Sequence, residues 1–181
     1  MPAAIVGLVT LLAMGLAAPA TAQEPGDAVI YLVRHAETGP PDGNPSDAPL
    51  SQVGRDRAWR LAIGLADAGL TSVHSTDLRR TRTTAEAVAA TTGLEVEIYD
   101  PSDGPAMEAL LDRLRAPGRH LVVGHSNTTP VLVEALGGDP VSPIPESEYD
   151  RLYVVTVTSD GQVVSTLLRY GEPGSEHDAS L

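Results

Sequence analysis

Two arginines and two histidines in this sequence could together bind and attack a phosphate group. Arg34 and His35 directly follow the apolar run AVIYLV, and His125 follows a second apolar run, HLVV, and one glycine. Arg80 lies in the first turn of a predicted helix. Arginine forks neutralise phosphate oxygens, and a neutral imidazole can attack phosphorus in line. Because a second, protonated imidazole can donate hydrogen bonds to the same oxygens, this set predicts phosphoryl transfer.

The elements before these side chains must end at one edge of a sheet for the cations to meet. Apolar runs predict strands at 28–33, 71–75, 94–99, 120–123, 151–158 and 162–170. Helical spacing predicts helices within 50–69, 78–92, 106–115 and 128–136, with Ser51 as an N-cap and Gly69 and Gly93 as stops. This alternation predicts a three-layer α/β/α sandwich with a mostly parallel sheet and an antiparallel edge. Ligands bind such sheets at the carboxyl ends of the strands.

Three arginines, Arg79, Arg80 and Arg82, crowd the first turn of the helix predicted after the second strand. The helix dipole is positive at this end, so each cation there costs roughly 0.3–1 kcal/mol. Two interpretations are open. Either a bound anion relieves the repulsion, or Asp77 and Glu86 compensate it and the arginines are merely solvated.

Four segments, taken in order, resemble the motifs of the histidine phosphatase (phosphoglycerate mutase-like) superfamily. They are YLVRHAET at 31–38, LSQVGR at 50–55, STDLRRTRTTA at 75–85 and VVGHS at 122–126. The resemblance covers nearly all of 28–158 and implies that His35 becomes phosphohistidine. It also implies that Arg34, Arg80 and His125 bind the phosphate, and that no metal or cofactor is needed. By the same alignment, the arginines on either side of Arg80 are surface residues.

The acid that protonates the departing alkoxide is harder to assign. Mutases and many relatives carry a Glu after the third strand, and here Asp100 occupies that place, so Asp100 is the expected donor. Asp103 is the second candidate and Glu108 the third. The mutases also place a phosphate-contacting Asn six residues after the nucleophile, where this chain has Pro41; Asn44 could substitute.

Other polar residues near the motifs have candidate roles. Asn127 is expected to cap the helix after His125, although its side chain could reach the phosphate. Glu37 is expected to orient the loop by hydrogen bonding, and His74 to have a surface or supporting role. The acidic stretch 146–150 is expected to be a solvated loop whose side chains could line the mouth of the site.

No catalytic role is expected for His120 or His177. A metal held by His35, His125 and Asp100 is conceivable, but the adjacent arginines would repel a cation.

The first 22 residues differ in character from the rest. The stretch 5–18 is almost wholly apolar or small, and Ala20-Thr21-Ala22 follows it as a small-x-small cleavage site. We expect a signal peptide at 1–22, a histidine phosphatase domain at 23–171 and a flexible tail at 172–181. Export to the periplasm or the exterior would follow, although no Lys or Arg precedes Arg34. An uncleaved anchor or a buried core helix is the alternative.

Composition limits the classes of partner. The 181 residues fit one domain, and 42% are hydrophobic, which is enough to bury a core. The net charge of −12 disfavours nucleic acid and anionic membranes, so a small phosphorylated substrate is the expected partner. Without cysteine there is no disulfide and no thiolate catalysis. The oligomeric state stays open.

These observations predict a phosphatase that hydrolyses a phosphate monoester through a phosphohistidine intermediate. Phosphohistidine proteins and envelope sugar phosphates are neighbouring substrate classes. A non-catalytic anion-binding module of the same fold is a second hypothesis. Phosphoglycerate-mutase-type transfer is a third, against which the short connection after the third strand argues.

Overall fold

The structure, a computed structural model, describes residues 26–171. Its strands are β1 (Ala28–Arg34), β2 (Ser72–Ser75), β3 (Val96–Ile98), β4 (Gly118–Gly124), β5 (Arg151–Val157) and β6 (Val163–Arg169). Its helices are α1 (Gln52–Leu65), α2 (Arg79–Thr92), α3 (Gly104–Arg115) and α4 (Thr128–Ala135), with a 3-10 turn at Pro45–Asp47. Every predicted strand and helix is present. The signal peptide predicted at 1–22 and the tail predicted at 172–181 lie outside the described residues.

The six strands form one sheet in the order β3-β2-β4-β1-β5-β6. The first four are parallel to their neighbours, and the crossover connections between them contain helices. The last two strands form the antiparallel edge, β5 against β1 and β6 against β5. A tight turn containing Gly161, whose φ is +84°, closes the β5–β6 hairpin. The predicted mostly parallel sheet with an antiparallel edge is confirmed.

Helices cover both faces of the sheet, as the predicted three layers require. Alternate residues of a strand point to opposite faces, and β4 shows this clearly. Leu121 and Val123 pack with the buried faces of α1 and α2, whereas Val122 packs with those of α3 and α4. Among residues 26–171, no helix is long and apolar enough to cross a membrane.

The loop after β1 is held by the first turn of α1. The Ser51 hydroxyl accepts a hydrogen bond from the Gly54 amide at 3.0 Å, which confirms Ser51 as the N-cap. A Cβ at Gly54 would lie 2.1 Å from the carbonyl oxygen of Glu37, so only glycine lets α1 approach this backbone so closely. The loop that carries His35 therefore rests directly on the helix.

Two of the predicted helix stops behave differently. Gly93, with φ of +71°, ends α2 directly as its left-handed C-cap, as predicted. Gly69 is also left-handed, but α1 has already ended at Leu65. Turn hydrogen bonds carry the chain from the end of α1 to Gly69, so this glycine ends the turn and not the helix.

Candidate active site

The ends of β1 and β4 bring the two predicted histidines together. Arg34, the last residue of β1, is in register with Gly124, the last residue of β4. The His35 amide continues the ladder by donating to the Gly124 carbonyl oxygen at 2.9 Å. As a result the rings of His35 and His125 lie edge to face, with centroids 5.4 Å apart. Residues 90 positions apart in sequence thus share one sheet edge.

A cavity of about 570 Å³ opens at this edge of the sheet. Five of the six predicted site residues line it: Arg34, His35, Arg80, His125 and Asn127. The remaining lining residues are Thr38, Pro45, Ser46, Ala48, Leu78, Ser126, Glu146 and Tyr149. The cavity is therefore lined mainly by cationic and hydrogen-bonding groups, which suits an anion.

His35 is buried and locked in one tautomer. Its Nδ1 lies 2.8 Å from the carbonyl oxygen of Ala36, which can only accept a hydrogen bond, so Nδ1 carries the hydrogen. The lone pair is then on Nε2. Burial lowers the pKa of His35 to about 3, and the positive charge of Arg34 contributes to the lowering. At neutral pH the ring is unprotonated and has a free nucleophilic nitrogen.

His125 is half-buried, and its Nε2 lies 3.0 Å from Oγ1 of Thr76. Burial lowers its pKa to about 4, and the charges of Arg80 and Arg34 lower it further. Two neutral imidazoles therefore lie between two guanidinium groups. A bound anion would reduce the electrostatic cost of protonating one of them.

Arg34 serves two purposes. Its Nη1 donates to the carbonyl oxygens of Pro145, Glu146 and Glu148 at 2.9–3.2 Å, and its Nη2 pairs with the Glu146 carboxylate at 2.5 Å. The guanidinium carbon also lies 4.2 Å from the ring centre of Tyr149. Arg34 thereby fixes the loop before β5. Its buried Nε has no hydrogen-bond partner among the described residues, so one N–H group is left for a ligand.

Arg80 faces the cavity from the first turn of α2, where its Nη1 donates to the Ser46 carbonyl oxygen at 2.9 Å. The flanking arginines lie on the surface with carboxylate partners. Arg79 pairs with Asp42, and Arg82 pairs with Asp77. Within the described part of the chain, Arg80 has no carboxylate partner.

The second interpretation of the crowded arginines holds for Arg82, which Asp77 and Glu86 compensate. The first, a bound anion, stays a prediction for Arg80, which faces the cavity.

Asn127 occupies the N-cap position of α4 but makes no side-chain capping bond. The prediction that it caps the helix is therefore wrong in this respect. Its backbone is already helical, with φ of −94° and ψ of −33°, whereas a capping side chain needs an extended residue. The Thr128 hydroxyl instead accepts from the His125 amide at 2.9 Å. The Asn127 side chain is left on the wall of the cavity.

The structure does not bring Asp100 to this cavity. Its carboxylate accepts from the amide and hydroxyl of Ser102 at 2.8 and 2.6 Å, and it lines a separate cavity of about 240 Å³. Asp103 is the N-cap of α3, and Glu108 is exposed on that helix. Local hydrogen bonds hold the Asp100 and Asp103 carboxylates within the β3–α3 connection. None of the three carboxyl groups lines the phosphate cavity.

Asn44 does not replace the missing asparagine either. Its side chain accepts from the Ser46 amide at 3.0 Å and caps the 3-10 turn, outside the cavity wall.

The Glu37 carboxylate accepts from Nε of Arg57 at 2.8 Å, consistent with the expected orienting role. His74 is buried and contacts the Ser72 hydroxyl, which indicates a supporting role.

Two cavity residues, Glu146 and Tyr149, were not predicted as site residues. Glu146 is the one acidic residue among the described residues that line the cavity. The Ser126 hydroxyl, 2.8 Å from the carboxylate, lowers the pKa of Glu146, and Arg34 lowers it further. Of the acidic side chains of 146–150, Glu146 alone lines the cavity as expected, whereas Asp150 is 3% exposed, so the expectation that this stretch is a solvated loop is wrong at Asp150. The predicted antiparallel edge could have indicated Glu146 and Tyr149. A strand antiparallel to β1 begins beside the end of β1, so the loop before that strand lies next to Arg34 and His35.

Comparison with known proteins shows which family this chain resembles. Residues 30–101 match the family model of the histidine phosphatase superfamily (branch 1). The curated relative "Probable phosphoglycerate mutase GpmB" of Escherichia fergusonii is 38% identical over 79 residues, or 40% of this chain and 35% of that protein. Residues 30–101, which carry Arg34, His35 and Arg80, therefore resemble the histidine phosphatase superfamily. The chain spans about a third of the length of the curated relatives it matches.

Solved structures show the same fold. The phosphoglycerate mutase from Bacillus anthracis str. Sterne superimposes with a TM-score of 0.60 at 17% identity, covering 80% of this chain and 93% of that one. The protein histidine phosphatase SixA complexed with tungstate gives a TM-score of 0.60 at 22% identity, covering 80% and 97%. The fold of this chain is therefore phosphoglycerate mutase-like.

Proposed function

We propose that the protein is a phosphatase that hydrolyses a phosphate monoester through a phosphohistidine intermediate on His35. The observation that carries the proposal is the tautomer of His35. The hydrogen bond from Nδ1 to the Ala36 carbonyl oxygen leaves the lone pair on Nε2, and burial keeps the ring neutral. A neutral imidazole beside two guanidinium groups is suited to attack a phosphate that those groups hold.

In the first half-reaction, Nε2 of His35 attacks phosphorus opposite the ester oxygen. The N–P bond forms as the P–O bond breaks, and the ester oxygen takes a proton from solvent water and leaves as an alcohol. The equatorial oxygens accept hydrogen bonds from Nε of Arg34, from Arg80 and from protonated His125, with Asn127 as a further donor. In the second half-reaction, water attacks phosphorus and gives a proton to the solvent, the N–P bond breaks, and inorganic phosphate leaves while Nε2 regains its lone pair.

Among the described residues of the cavity wall, no protonated carboxylic acid is placed to protonate the leaving group. Glu146, the acidic residue of the cavity wall, is held ionised by Ser126 and Arg34. We therefore propose that substrates with acidic or easily protonated leaving groups, such as aryl phosphates and phosphoramidates, react faster than alkyl phosphates. Turnover numbers on a matched panel of the three classes test this preference, and equal rates on all three would contradict it.

A binding module without turnover is a second candidate. The observation in its favour is that Asp100, Asp103 and Glu108 lie off the cavity wall. Such a module would bind phosphate or vanadate but would release no alcohol and form no phosphoenzyme. A rapid-quench experiment with p-nitrophenyl phosphate separates the two, since the phosphatase gives a burst of nitrophenol or steady turnover.

Mutase activity is a weaker candidate for this chain. A mutase must keep its phosphoenzyme from water, and the short β3–α3 connection adds no cover to the cavity. Incubation with 2- and 3-phosphoglycerate tests this point. Release of inorganic phosphate without interconversion is the expected result.

We also propose export, on the sequence of residues 1–22 alone. Expression of the full chain with sequencing of the mature N-terminus tests it. A mature protein that begins at Gln23 in the exported fraction is expected, and a cytoplasmic protein that begins at Met1 would contradict export.

A further inference from the structure

A pair of buried threonine hydroxyls lies behind His125. Oγ1 of Thr76 is 3.0 Å from Nε2 of His125 and 2.8 Å from Oγ1 of Thr81. Oγ1 of Thr81 lies 3.0 Å from the carbonyl oxygen of Thr76 and 2.8 Å from that of Leu78. Thr76 and Thr81 are 2% and 0% exposed, so water does not compete for these hydroxyls. The partners available to each proton are therefore the groups just named.

Counting protons gives the direction of each hydrogen bond. A carbonyl oxygen can only accept, so Thr81 donates its single proton to a carbonyl group and accepts from Thr76. The Thr76 hydroxyl thus gives its proton to Thr81, and its oxygen accepts from His125. If Thr81 gave its proton to Thr76, neither carbonyl oxygen, at 3.0 and 2.8 Å, would receive a hydrogen from it. If Thr76 gave its proton to His125 while Thr81 kept a carbonyl acceptor, the two hydroxyl oxygens would lie 2.8 Å apart with no hydrogen between them. Nε2 of His125 therefore carries a hydrogen.

We propose that Thr76 is a positioning residue that fixes the tautomer of His125, with Thr81 holding the Thr76 hydroxyl in the accepting orientation. With Nε2 bound to Thr76, Nδ1 is the ring nitrogen that takes up a proton when an anion enters the cavity. Two imidazoles of one site thus have opposite tautomers. His35 keeps its hydrogen on Nδ1 and His125 keeps its hydrogen on Nε2.

The catalytic consequence rests on the proposed function, whereas the tautomer is a property of the unliganded protein. The charged and titratable groups around the His125 ring are Arg34 and His35 at the end of β1, Arg80 on α2, and Glu146 in the loop before β5. The cations oppose protonation of His125 in the empty site, and a phosphate dianion favours it. The contact from Nε2–H to the Thr76 oxygen strengthens when the ring is cationic. Thr76 therefore stabilises the protonated form that donates to the phosphate.

The direct test is the tautomer itself. Nitrogen-15 NMR of protein labelled in histidine, near neutral pH, distinguishes the protonated from the unprotonated ring nitrogen, and a His125→Asn variant assigns the signals. The expected result is a hydrogen on Nε2 of His125. A hydrogen on Nδ1 would overturn the proposal. Because this measurement needs no turnover, it stands even if the protein proves inactive on every ester.

Variants at Thr76 test the consequence. Thr76→Val keeps the shape and removes the hydroxyl, so the His125 tautomers should mix and kcat/KM should fall about tenfold. The basic limb of the pH–rate profile should move to lower pH, because the cationic form of His125 loses its acceptor. Thr76→Ser should stay within about twofold of the natural protein, since it restores the hydroxyl. Thr91→Val, which removes a threonine hydroxyl of α2 that bonds the Val88 carbonyl oxygen, is the matched control.

A lower kcat/KM in Thr76→Val does not by itself distinguish a positioning role of the hydroxyl from a packing role. If Thr76→Val lowers kcat/KM with an unshifted pH profile and an unchanged His125 tautomer, the hydroxyl has only a packing role and the positioning role is wrong. If Thr76→Val fails to fold, the His125 tautomer is measured in the natural protein and in Thr76→Ser. A hydrogen on Nε2 in both supports the proposal, and a hydrogen on Nδ1 overturns it.

Discussion

The main-chain amide of His35 donates a hydrogen bond to the carbonyl oxygen of Gly124, 2.9 Å away, directly before His125. This bond extends the parallel β1–β4 ladder by one step past the end of both strands. It places the two imidazoles beside each other, with their rings edge to face and their centroids 5.4 Å apart. The position of the proposed nucleophile therefore depends on the pairing of these two strands.

The arginines of α2 offer a matched pair of variants. Arg80→Ala removes a cation from the cavity wall, and kcat/KM should fall about 100-fold, since hydrogen bonds to charged groups are worth about 1.5–3 kcal/mol. Arg79→Ala removes an exposed cation paired with Asp42, and kcat/KM should change less than about threefold. Steady-state kinetics on an aryl phosphate measure both. Equal losses in the two variants would contradict the assignment of Arg80 to the phosphate.

Glu146 competes with a bound anion for Arg34. Its carboxylate pairs with Nη2 of Arg34 and accepts from the Ser126 hydroxyl, and the lowered pKa keeps it ionised. Glu146→Gln removes a negative charge from the cavity wall, so inorganic phosphate and vanadate should bind about fivefold more tightly. Inhibition constants against aryl phosphate hydrolysis measure this change.

The matched control for Glu146 is Glu134→Gln, an exposed position on α4 that does not line the cavity. It should leave both inhibition constants unchanged. Weaker binding of phosphate in Glu146→Gln would show that the carboxylate supports the anion site through Arg34 and does not oppose it.

Buried histidines should make the fold sensitive to acid. Burial lowers the pKa of His74 to about 4 from its ordinary value of 6.5, so the folded protein binds this proton less readily than the unfolded chain. The stabilisation is complete above pH 6.5 and is lost as the pH falls toward 4.

Urea unfolding at several pH values tests this dependence. The free energy of unfolding should decrease between pH 6.5 and 4 with a contribution of about 3 kcal/mol from His74. His74→Gln should show a shallower slope over this range than the natural protein. His35, His120 and His125 also have lowered pKa values, so the slope should persist in part. Identical slopes in both proteins would contradict a neutral His74 in the fold.

The sequence predicted the parts of the site that short segments encode. Arg34, His35 and His125 each follow an apolar strand, and Arg80 begins a helix, so local patterns were enough to place them at one sheet edge. The same patterns predicted every strand and helix of the sheet and its two covering layers. Several element bounds differed by a few residues, for example at β3, where 94–99 was predicted and Val96–Ile98 is observed, and the 3-10 turn was not predicted. Local hydrogen bonds decide such boundaries.

The proton donor could not be predicted in this way. Asp100 follows β3, as a catalytic acid does in many relatives. Its carboxylate, however, accepts hydrogen bonds from the amide and the hydroxyl of Ser102, two residues further along the chain. Such local hydrogen bonds compete with a proton-donor role in the cavity, and the spacing of motifs in a sequence does not reveal them. Glu146 and Tyr149 reach the site through tertiary contacts with Arg34, more than 110 residues away in sequence.

The phosphoenzyme tests the central claim most directly. The mature protein is mixed with a ³²P-labelled aryl phosphate, quenched in base within milliseconds and digested, and the labelled peptide is sequenced. The expected result is an acid-labile, base-stable label on His35 that is absent from His35→Ala, while His35→Ala keeps the circular dichroism spectrum and Tm of the natural protein. Label on another residue, or undiminished hydrolysis by folded His35→Ala, would contradict the account.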